Sequence, residues 1–380
     1  MSFTKRKSKL PPAYYYFSGD EAIAEGAIAA RCKYYAGYPI TPATEIMERM
    51  SWRLMEVGGV FMQMEDEIGS ICSAIGASWT GTRSMTATSG PGLSLMMEGI
   101  GYAAFTETPV VIADIQRAGP CTGQATRTGA GDIMQAKWGS HGDYQVIALS
   151  PWSVQESYEQ TIRAFNLADS YRVPVFILSE EAVGHLRERI WVGDQVEIIE
   201  RLKKKGAPPF GTAEEDGIPS MPAFGDKERI LVTGSTHNDK GIRKVEDPDV
   251  HQKLVSRLQQ KILNNRSDII DYECYYPENA VVIVIAYGFT ARSALYAVNR
   301  LREEKKKVGL VRMKTIWPFA CEMIREVSSN VNKLFVPEMN EGQVAGEIIK
   351  YSHCEVVSYG QSNGEIITPD RIEEELRRLL

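Results

Sequence analysis

At 380 residues the chain exceeds one ordinary domain, and two or three are expected at about 100–200 residues each. Its 43 Lys and Arg against 49 Asp and Glu leave a net charge of −6, so no overall positive field exists to hold a polyanion, and nucleic acid is excluded as a partner. No apolar run approaches the roughly 18–20 residues that span a bilayer, and the basic start "MSFTKRKSKLPPAYYYF" has no apolar core of a signal peptide, so a cytoplasmic protein without a membrane partner is expected.

The first 180 or so residues alternate helix-period segments with short apolar runs, the pattern of βαβ units and a parallel sheet. "SGDE" predicts a helix from Ser18, with Ser18 as cap and Glu21 closing a capping box. Further helices are predicted over 41–57, 66–80, 92–105 and 152–170, with strands at "GVFMQM", "SMTATS", "PVVIADIQ", "YQVIALS" and "VPVFILS". From 186 to 275 the sequence turns charged and rich in Pro and Gly, with one charged helix near 248–267; a linker or arm is expected. Alternation resumes from 276 with "AVVIVIAYG", the helix "FTARSALYAVNRLREEKKK", the strands "VGLVRMK" and "KLFVPEMN", a helix after "EGQVAGEI", and "CEVVSYG". The expected fold class is therefore α/β, divided as 1–185, 186–275 and 276–380.

Cys32, Cys72, Cys121, Cys274, Cys321 and Cys354 are scattered, with no Cys-x-x-Cys pair and no clustering with histidine. An iron–sulfur cluster or zinc site is thus expected in another chain or not at all, and no metal ligands are expected in this one.

The most specific signal is "EDEIGSICSAIGASWTGTRSMTATSGPG", residues 65–92: a glutamate opens a small-residue helix, and a strand then runs into Thr-Ser-Gly-Pro-Gly. Taken alone, Glu67 reads as an ordinary acid at a helix N-terminus. In this order and spacing the stretch resembles the pyrimidine-binding domain of thiamine diphosphate enzymes. The resemblance implies that Glu67 is the partly buried carboxylate beside the aminopyrimidine nitrogen. It also implies cofactor contacts at Tyr38, Pro39, Ile40, Ser89, Gly90 and Pro91. The Gly-Asp-Gly signature that holds Mg²⁺ and the diphosphate in such enzymes is absent here, so half of the site is expected from a partner.

"GDEAIAEGAI", "YPITP", "QRAGPCTG", "HGDY", "VPVFILSEEAVG", "DGIPSMPAFG", "VTGSTHNDKG", "AYGFTAR" and "IWPF" together resemble the α subunit of 2-oxoacid:ferredoxin oxidoreductases, in the branch using 2-oxoglutarate or branched-chain 2-oxoacids. The resemblance implies a pyrimidine-binding-type parallel-sheet domain, a structured linker and a transketolase C-terminal-like α/β domain, the last mainly structural. It makes Thr41 a hydrogen-bond donor to the substrate keto oxygen, where the letters alone read as a Thr cap starting a helix. Pro39 and Pro42 would limit the backbone around that hydroxyl. Arg117, at the end of a strand, becomes the holder of the α-carboxylate, for which a guanidinium is suited by its paired donors. Thr122 and Thr126 match substrate-pocket positions, although Ala118 and Cys121 depart from the usual Gly-Gly-Pro-Ser-Thr-Gly. Arg127 reads as a distal-carboxylate contact or a solvated loop charge, and His141 as a histidine tying down its loop.

The implied activity is oxidative decarboxylation of a 2-oxoacid, 2-oxoglutarate favoured, to acyl-CoA and CO₂, open to reversal. Thiamine diphosphate would be shared with a β subunit carrying Mg²⁺ and a [4Fe-4S] cluster, coenzyme A would be co-substrate and ferredoxin the electron acceptor. The assembly would be an αβ heterodimer or its twofold heterotetramer, with γ and δ subunits as further partners the resemblance allows. Competing readings are a branched-chain (2-oxoisovalerate) enzyme, a non-redox split-subunit thiamine diphosphate decarboxylase, and a non-catalytic subunit.

Overall fold

In the computed structural model, which describes residues 3–380, helix Gly19–Ala29 begins at the predicted cap. Ser18 Oγ accepts the Glu21 N–H at 3.1 Å and Glu21 Oε2 accepts the Ser18 N–H at 2.8 Å, two otherwise unpaired helix donors satisfied reciprocally. The next helices, Thr44–Glu56, Glu67–Trp79, Gly90–Phe105 and Val154–Tyr171, lie within three residues of their predicted bounds. Among the described residues, no helix is long and apolar enough to cross a membrane.

These helices flank a sheet in the order Thr315–Trp317, Ile147–Leu149, Pro174–Glu180, Val110–Ala118, Ser84–Thr88, Tyr34–Gly37, Val60–Gln63. All neighbours pair in parallel except Thr315–Trp317, which comes from the last third of the chain and runs antiparallel to Ile147–Leu149. Tyr34–Gly37 was not expected: four residues, "YYAG", are too few to show a period. Strands Pro174–Glu180 and Val110–Ala118 are buried along their whole length, as central parallel strands must be.

A second sheet has the order Tyr272–Tyr275, Val308–Met313, Val282–Tyr287, Lys333–Glu338, Glu355–Gly360, parallel apart from the first strand. The two sheets share one apolar core, and Trp317 Nε1 donates to the Ile133 carbonyl at 2.9 Å across the junction. Segment 200–247 contains no helix or named strand, and helix Pro248–Leu263 follows it, ending four residues before the predicted stop.

The turn "AYGFTAR" serves this junction. Glu180, wholly buried at the end of its strand, accepts the Phe289 N–H at 3.2 Å, and its carboxyl is pushed up to about 8 by burial, against that hydrogen bond. Gly288, at φ +51°, leaves room for it; a Cβ there would overlap the Glu180 carboxyl. Gly288→Ala is expected to lower stability by about 1–3 kcal/mol through overpacking and left-handed strain, read from urea midpoints. A loss below about 0.3 kcal/mol would show that the contact yields.

Candidate active site

Four candidate segments follow the carboxyl ends of four neighbouring parallel strands. Thr41 follows Tyr34–Gly37, Glu67 follows Val60–Gln63, Ser89–Gly90–Pro91 follows Ser84–Thr88, and Arg117 closes Val110–Ala118. The chain reverses its order across this sheet between Tyr34–Gly37 and Ser84–Thr88, and ligands of open α/β sheets bind at such reversals, outside the carboxyl ends.

Arg117 is buried and its Nη1 donates to the Thr41 carbonyl at 2.8 Å, so two residues 76 positions apart meet. Its Nε has no partner among the described residues despite burial, leaving donor capacity for a ligand. Thr41 is exposed, and Thr44–Glu56 begins from Ala43 without any side-chain cap, so the structure sets aside Thr41 as a helix cap. Tyr38 and Pro39 are also exposed and Ile40 is half-buried.

Arg117 opens onto a cleft of about 450 Å³ lined by Gly90, Pro91, Thr128, Asp132, Asn340 and Gln343, among others. A larger hollow of about 780 Å³ holds several basic residues, but Arg83 and Arg201 there are both spent on Asp169, at 2.6 and 2.5 Å. The cleft with an uncommitted guanidinium donor is the better candidate.

Two acids, the buried Asp114 and the half-buried Asp132, lie close enough to act on each other's charge, with Arg117 near Asp132. Burial drives both upward; no N–H or O–H reaches either Asp114 oxygen, while Arg117 favours an ionised Asp132. The neighbouring Asp132 adds to burial at Asp114, whose carboxyl is raised well above the ordinary carboxylate range. Backbone of the Asp132 loop is fixed from the far domain. Asn340 Nδ2 donates to the Ala130 carbonyl at 2.7 Å and Gln343 Nε2 to the Gly131 carbonyl at 2.6 Å, while Gln343 Oε1 accepts the Met134 N–H at 3.0 Å. The last domain, expected to be mainly structural, also builds one wall of the cleft.

Glu67 lies in the first turn of its helix, which Asp66 caps by accepting the Gly69 N–H at 2.7 Å. Glu67 itself is 5% exposed and forms no hydrogen bond with the described residues. Gly92 admits it, since a Cβ there would collide with the Glu67 carboxyl and Thr88 Oγ1. A buried carboxyl with no hydrogen-bond partner among the described residues fits the ring nitrogen of a thiamine pyrimidine. Ser89 Oγ is likewise buried and unpartnered, at the start of Gly90–Phe105.

Other expected residues fall elsewhere. Thr122 and Thr126 are exposed on the hairpin around Gln124–Thr128 and do not line the cleft; Thr128 does. Arg127 pairs with Glu365 at 2.7 Å on the surface. His141, 85% exposed and 3.6 Å from the equally open Glu98, ties nothing down.

Residues 25–257 match the family described as pyruvate flavodoxin/ferredoxin oxidoreductase, thiamine diphosphate-binding, and residues 280–372 match pyruvate:ferredoxin oxidoreductase core domain II. The chain belongs to the 2-oxoacid:ferredoxin oxidoreductase family, as an alpha-type subunit. Within this family it is 50% identical over 364 residues to the 2-oxoglutarate synthase subunit KorA of Methanothermobacter marburgensis, covering 94% of this chain and 97% of the relative. KorA of Methanocaldococcus jannaschii is 47% identical, with 94% and 98% covered. The ketoisovalerate oxidoreductase subunit VorB of M. marburgensis is more distant, at 35% identity with 95% and 96% covered. A solved 2-oxoglutarate:ferredoxin oxidoreductase from Magnetococcus marinus, with 2-oxoglutarate, coenzyme A and succinyl-CoA bound, superposes with a TM-score of 0.92 at 32% identity; it covers 97% of this chain and 65% of that one. A split-gene transketolase chain, at 12% identity and TM-score 0.54, shares the fold alone.

If Arg117 holds a carboxylate, Arg117→Lys is expected to raise KM for the 2-oxoacid about 10- to 100-fold, the worth of one charge-assisted bond lost from a bidentate pair. Steady-state viologen reduction reads this, and an unchanged KM would place the carboxylate elsewhere.

Proposed function

We propose that this chain is the alpha subunit of a 2-oxoglutarate:ferredoxin oxidoreductase, converting 2-oxoglutarate and coenzyme A to succinyl-CoA and CO₂ with electrons passed to ferredoxin. The observation that carries the substrate is the fall in identity from 50% with a 2-oxoglutarate synthase subunit to 35% with a ketoisovalerate one, each over nearly the whole chain. The cleft accords with an anionic substrate through Arg117.

Thiamine diphosphate, when bound, supplies the carbon nucleophile and the electron sink for loss of CO₂. Glu67 would hold a proton against its pyrimidine nitrogen, with Tyr38, Pro39, Ile40, Ser89, Gly90 and Pro91 flanking it. Arg117 would grip the substrate α-carboxylate, using the Nη2 and Nε donors left over from the Thr41 carbonyl. The Thr41 hydroxyl would donate to the keto oxygen as negative charge gathers there, which is strongest where the donor is fixed in advance. Thr122 and Thr126 would reach substrate only from the rim. Residues 1–185 form the cofactor-side unit, 186–275 the arm and 276–380 the unit that closes the cleft. A β subunit would provide Mg²⁺, the diphosphate site and a [4Fe-4S] cluster, with γ and δ chains as additional members of the assembly.

The test is anaerobic co-expression with the β partner and CoA-dependent viologen or ferredoxin reduction with 2-oxoglutarate, pyruvate and 3-methyl-2-oxobutanoate. The highest kcat/KM is expected for 2-oxoglutarate. Preference for the branched acid would transfer the chain to the ketoisovalerate group, and CO₂ release without reduction would point to a non-redox decarboxylase.

A further inference from the structure

Outside the cleft, three side chains from distant parts of the sequence converge. Asp20 stands in the first turn of Gly19–Ala29, Glu45 in the first turn of Thr44–Glu56, and His185 directly after the short helix Glu181–Gly184. One ligand atom from each lies within 4.8 Å of the other two. His185 Nε2 is 3.6 Å from Glu45 Oε2 and 4.0 Å from Asp20 Oδ2. Those separations are long for hydrogen bonds, yet comparable with the ~3–4 Å between two ligands of one ion bound at about 2.0–2.2 Å.

Asp20 supplies the independent observation. Its carboxyl is 0% exposed, it faces His185, and neither oxygen has a hydrogen-bond partner among the described residues. A buried carboxyl with both oxygens unbonded is costly unless something else satisfies it. Close packing keeps it there: a Cβ on Gly184 would come to 2.8 Å from Asp20 Oδ1.

His185 is already oriented for the same purpose. Its Nδ1 lies 3.1 Å from Glu181 Oε1, which sets Nδ1 toward that carboxylate and leaves Nε2 facing Asp20 and Glu45. A carboxylate behind the distal nitrogen of a ligating imidazole fixes its tautomer and raises its basicity. His185 and Glu45 are 36% and 47% exposed at the side chain, which leaves an entry path and room for water to complete the coordination.

We propose that Asp20, Glu45 and His185 form a binding site for a divalent cation of the Zn²⁺ class, with Glu181 orienting the histidine. One imidazole and two carboxylates suit a borderline cation better than Ca²⁺, and the three protein ligands leave open positions for water. The site is structural in its consequence. It ties the start of Thr44–Glu56, three residues beyond Thr41, to the first helix and to the end of strand Pro174–Glu180, and so fixes the turn carrying Thr41 from behind. Cysteine and histidine spacing could not reveal it, because the ligands are 25 and 140 positions apart and none is a cysteine.

The test is calorimetric titration of the EDTA-treated full-length chain with Zn²⁺, alongside Asp20→Asn, Glu45→Gln and His185→Ala. One saturable equivalent is expected for the wild type, weakened at least about 10-fold in each variant. Glu45→Gln and His185→Ala change partly exposed side chains, and retention of the wild-type circular dichroism and metal-free Tm in them ties any loss of binding to the site. No saturable equivalent in the wild type, or equal affinity in Glu45→Gln and His185→Ala, would overturn the site and leave an ion-pair cluster around a protonated His185.

Discussion

Replacing Glu67 with Gln is expected to lower CoA-dependent viologen reduction by the assembled complex about 10²- to 10⁴-fold, the usual worth of a positioned proton-transfer group. The amide fills the same space beside Gly92, so packing is conserved and the change removes only the ability to give and take a proton. A merely helical role predicts something different. A first-turn acid contributes about 0.3–1 kcal/mol to its helix through the dipole, and its loss would lower Tm slightly while leaving turnover within two- or threefold. Asp66→Ala separates the two cases, because Asp66 is the residue that caps this helix. It is expected to cost about 1 kcal/mol of stability and to leave kcat nearly intact. If Glu67→Gln behaves like Asp66→Ala, Glu67 is a helix acid and the proton-holding role fails.

The placing of Glu67 at a helix start was legible for a reason that does not extend to the cleft. Its place rests on a local pattern, acid, small-residue helix, strand, Gly-Pro-Gly, and the capping box at Ser18 was local in the same way. Arg117 and Ser89–Gly90–Pro91 could be placed because strand ends in a parallel sheet are predictable from apolar runs. Asp114 was hidden inside such a run, "PVVIADIQ", where one acid reads as an interruption; its meaning appears only when Asp132 arrives from another loop. Asn340 and Gln343 act on Ala130 and Gly131 across more than 200 residues, a distance at which periodicity carries no information. Thr122 and Thr126 fell outside the cleft because a short antiparallel return, Gln124–Thr128, lifts that segment onto the surface.

The arm shows the same limit. Segment 200–247 lacks any period, and its order depends on a group it does not contain. Glu107, wholly buried just after Gly90–Phe105, accepts from Arg257 Nη2 at 2.6 Å and Nη1 at 2.8 Å and from Lys261 Nζ at 2.7 Å. Arg172 Nε donates to the Glu107 carbonyl at 3.1 Å, and its Nη1 to the Ser220 carbonyl at 2.9 Å. Arg257 also reaches the Phe210 carbonyl at 2.8 Å, so the arm is strung between cations that one carboxylate gathers.

Glu107→Ala is therefore expected to destabilise the chain by about 3–5 kcal/mol, because the cations left behind are buried and cannot recover their hydration. Burial alone would raise the Glu107 carboxyl, but Arg257 and Lys261 outweigh it and hold the group well below its ordinary 4.5. Lys261 is drawn down to about 8 by burial even with Glu107 present, and loses its chief support when the acid goes. The sign with pH follows from linkage. A carboxyl with a depressed folded value stabilises fully above its unfolded value near 4.5, and the advantage shrinks as pH falls below that, since the unfolded chain takes up the proton first. Urea midpoints of wild type and Glu107→Gln should thus differ most between pH 5 and 7, on the order of the buried-pair penalty, and converge toward pH 3. Both variants carry the same left-handed backbone at this position, φ +51°, so their common loss against wild type reports the charge, and the excess in Ala reports the space it leaves. A gap that stays constant from pH 7 to pH 3 would mean that shape, not the carboxylate, holds the arm in place.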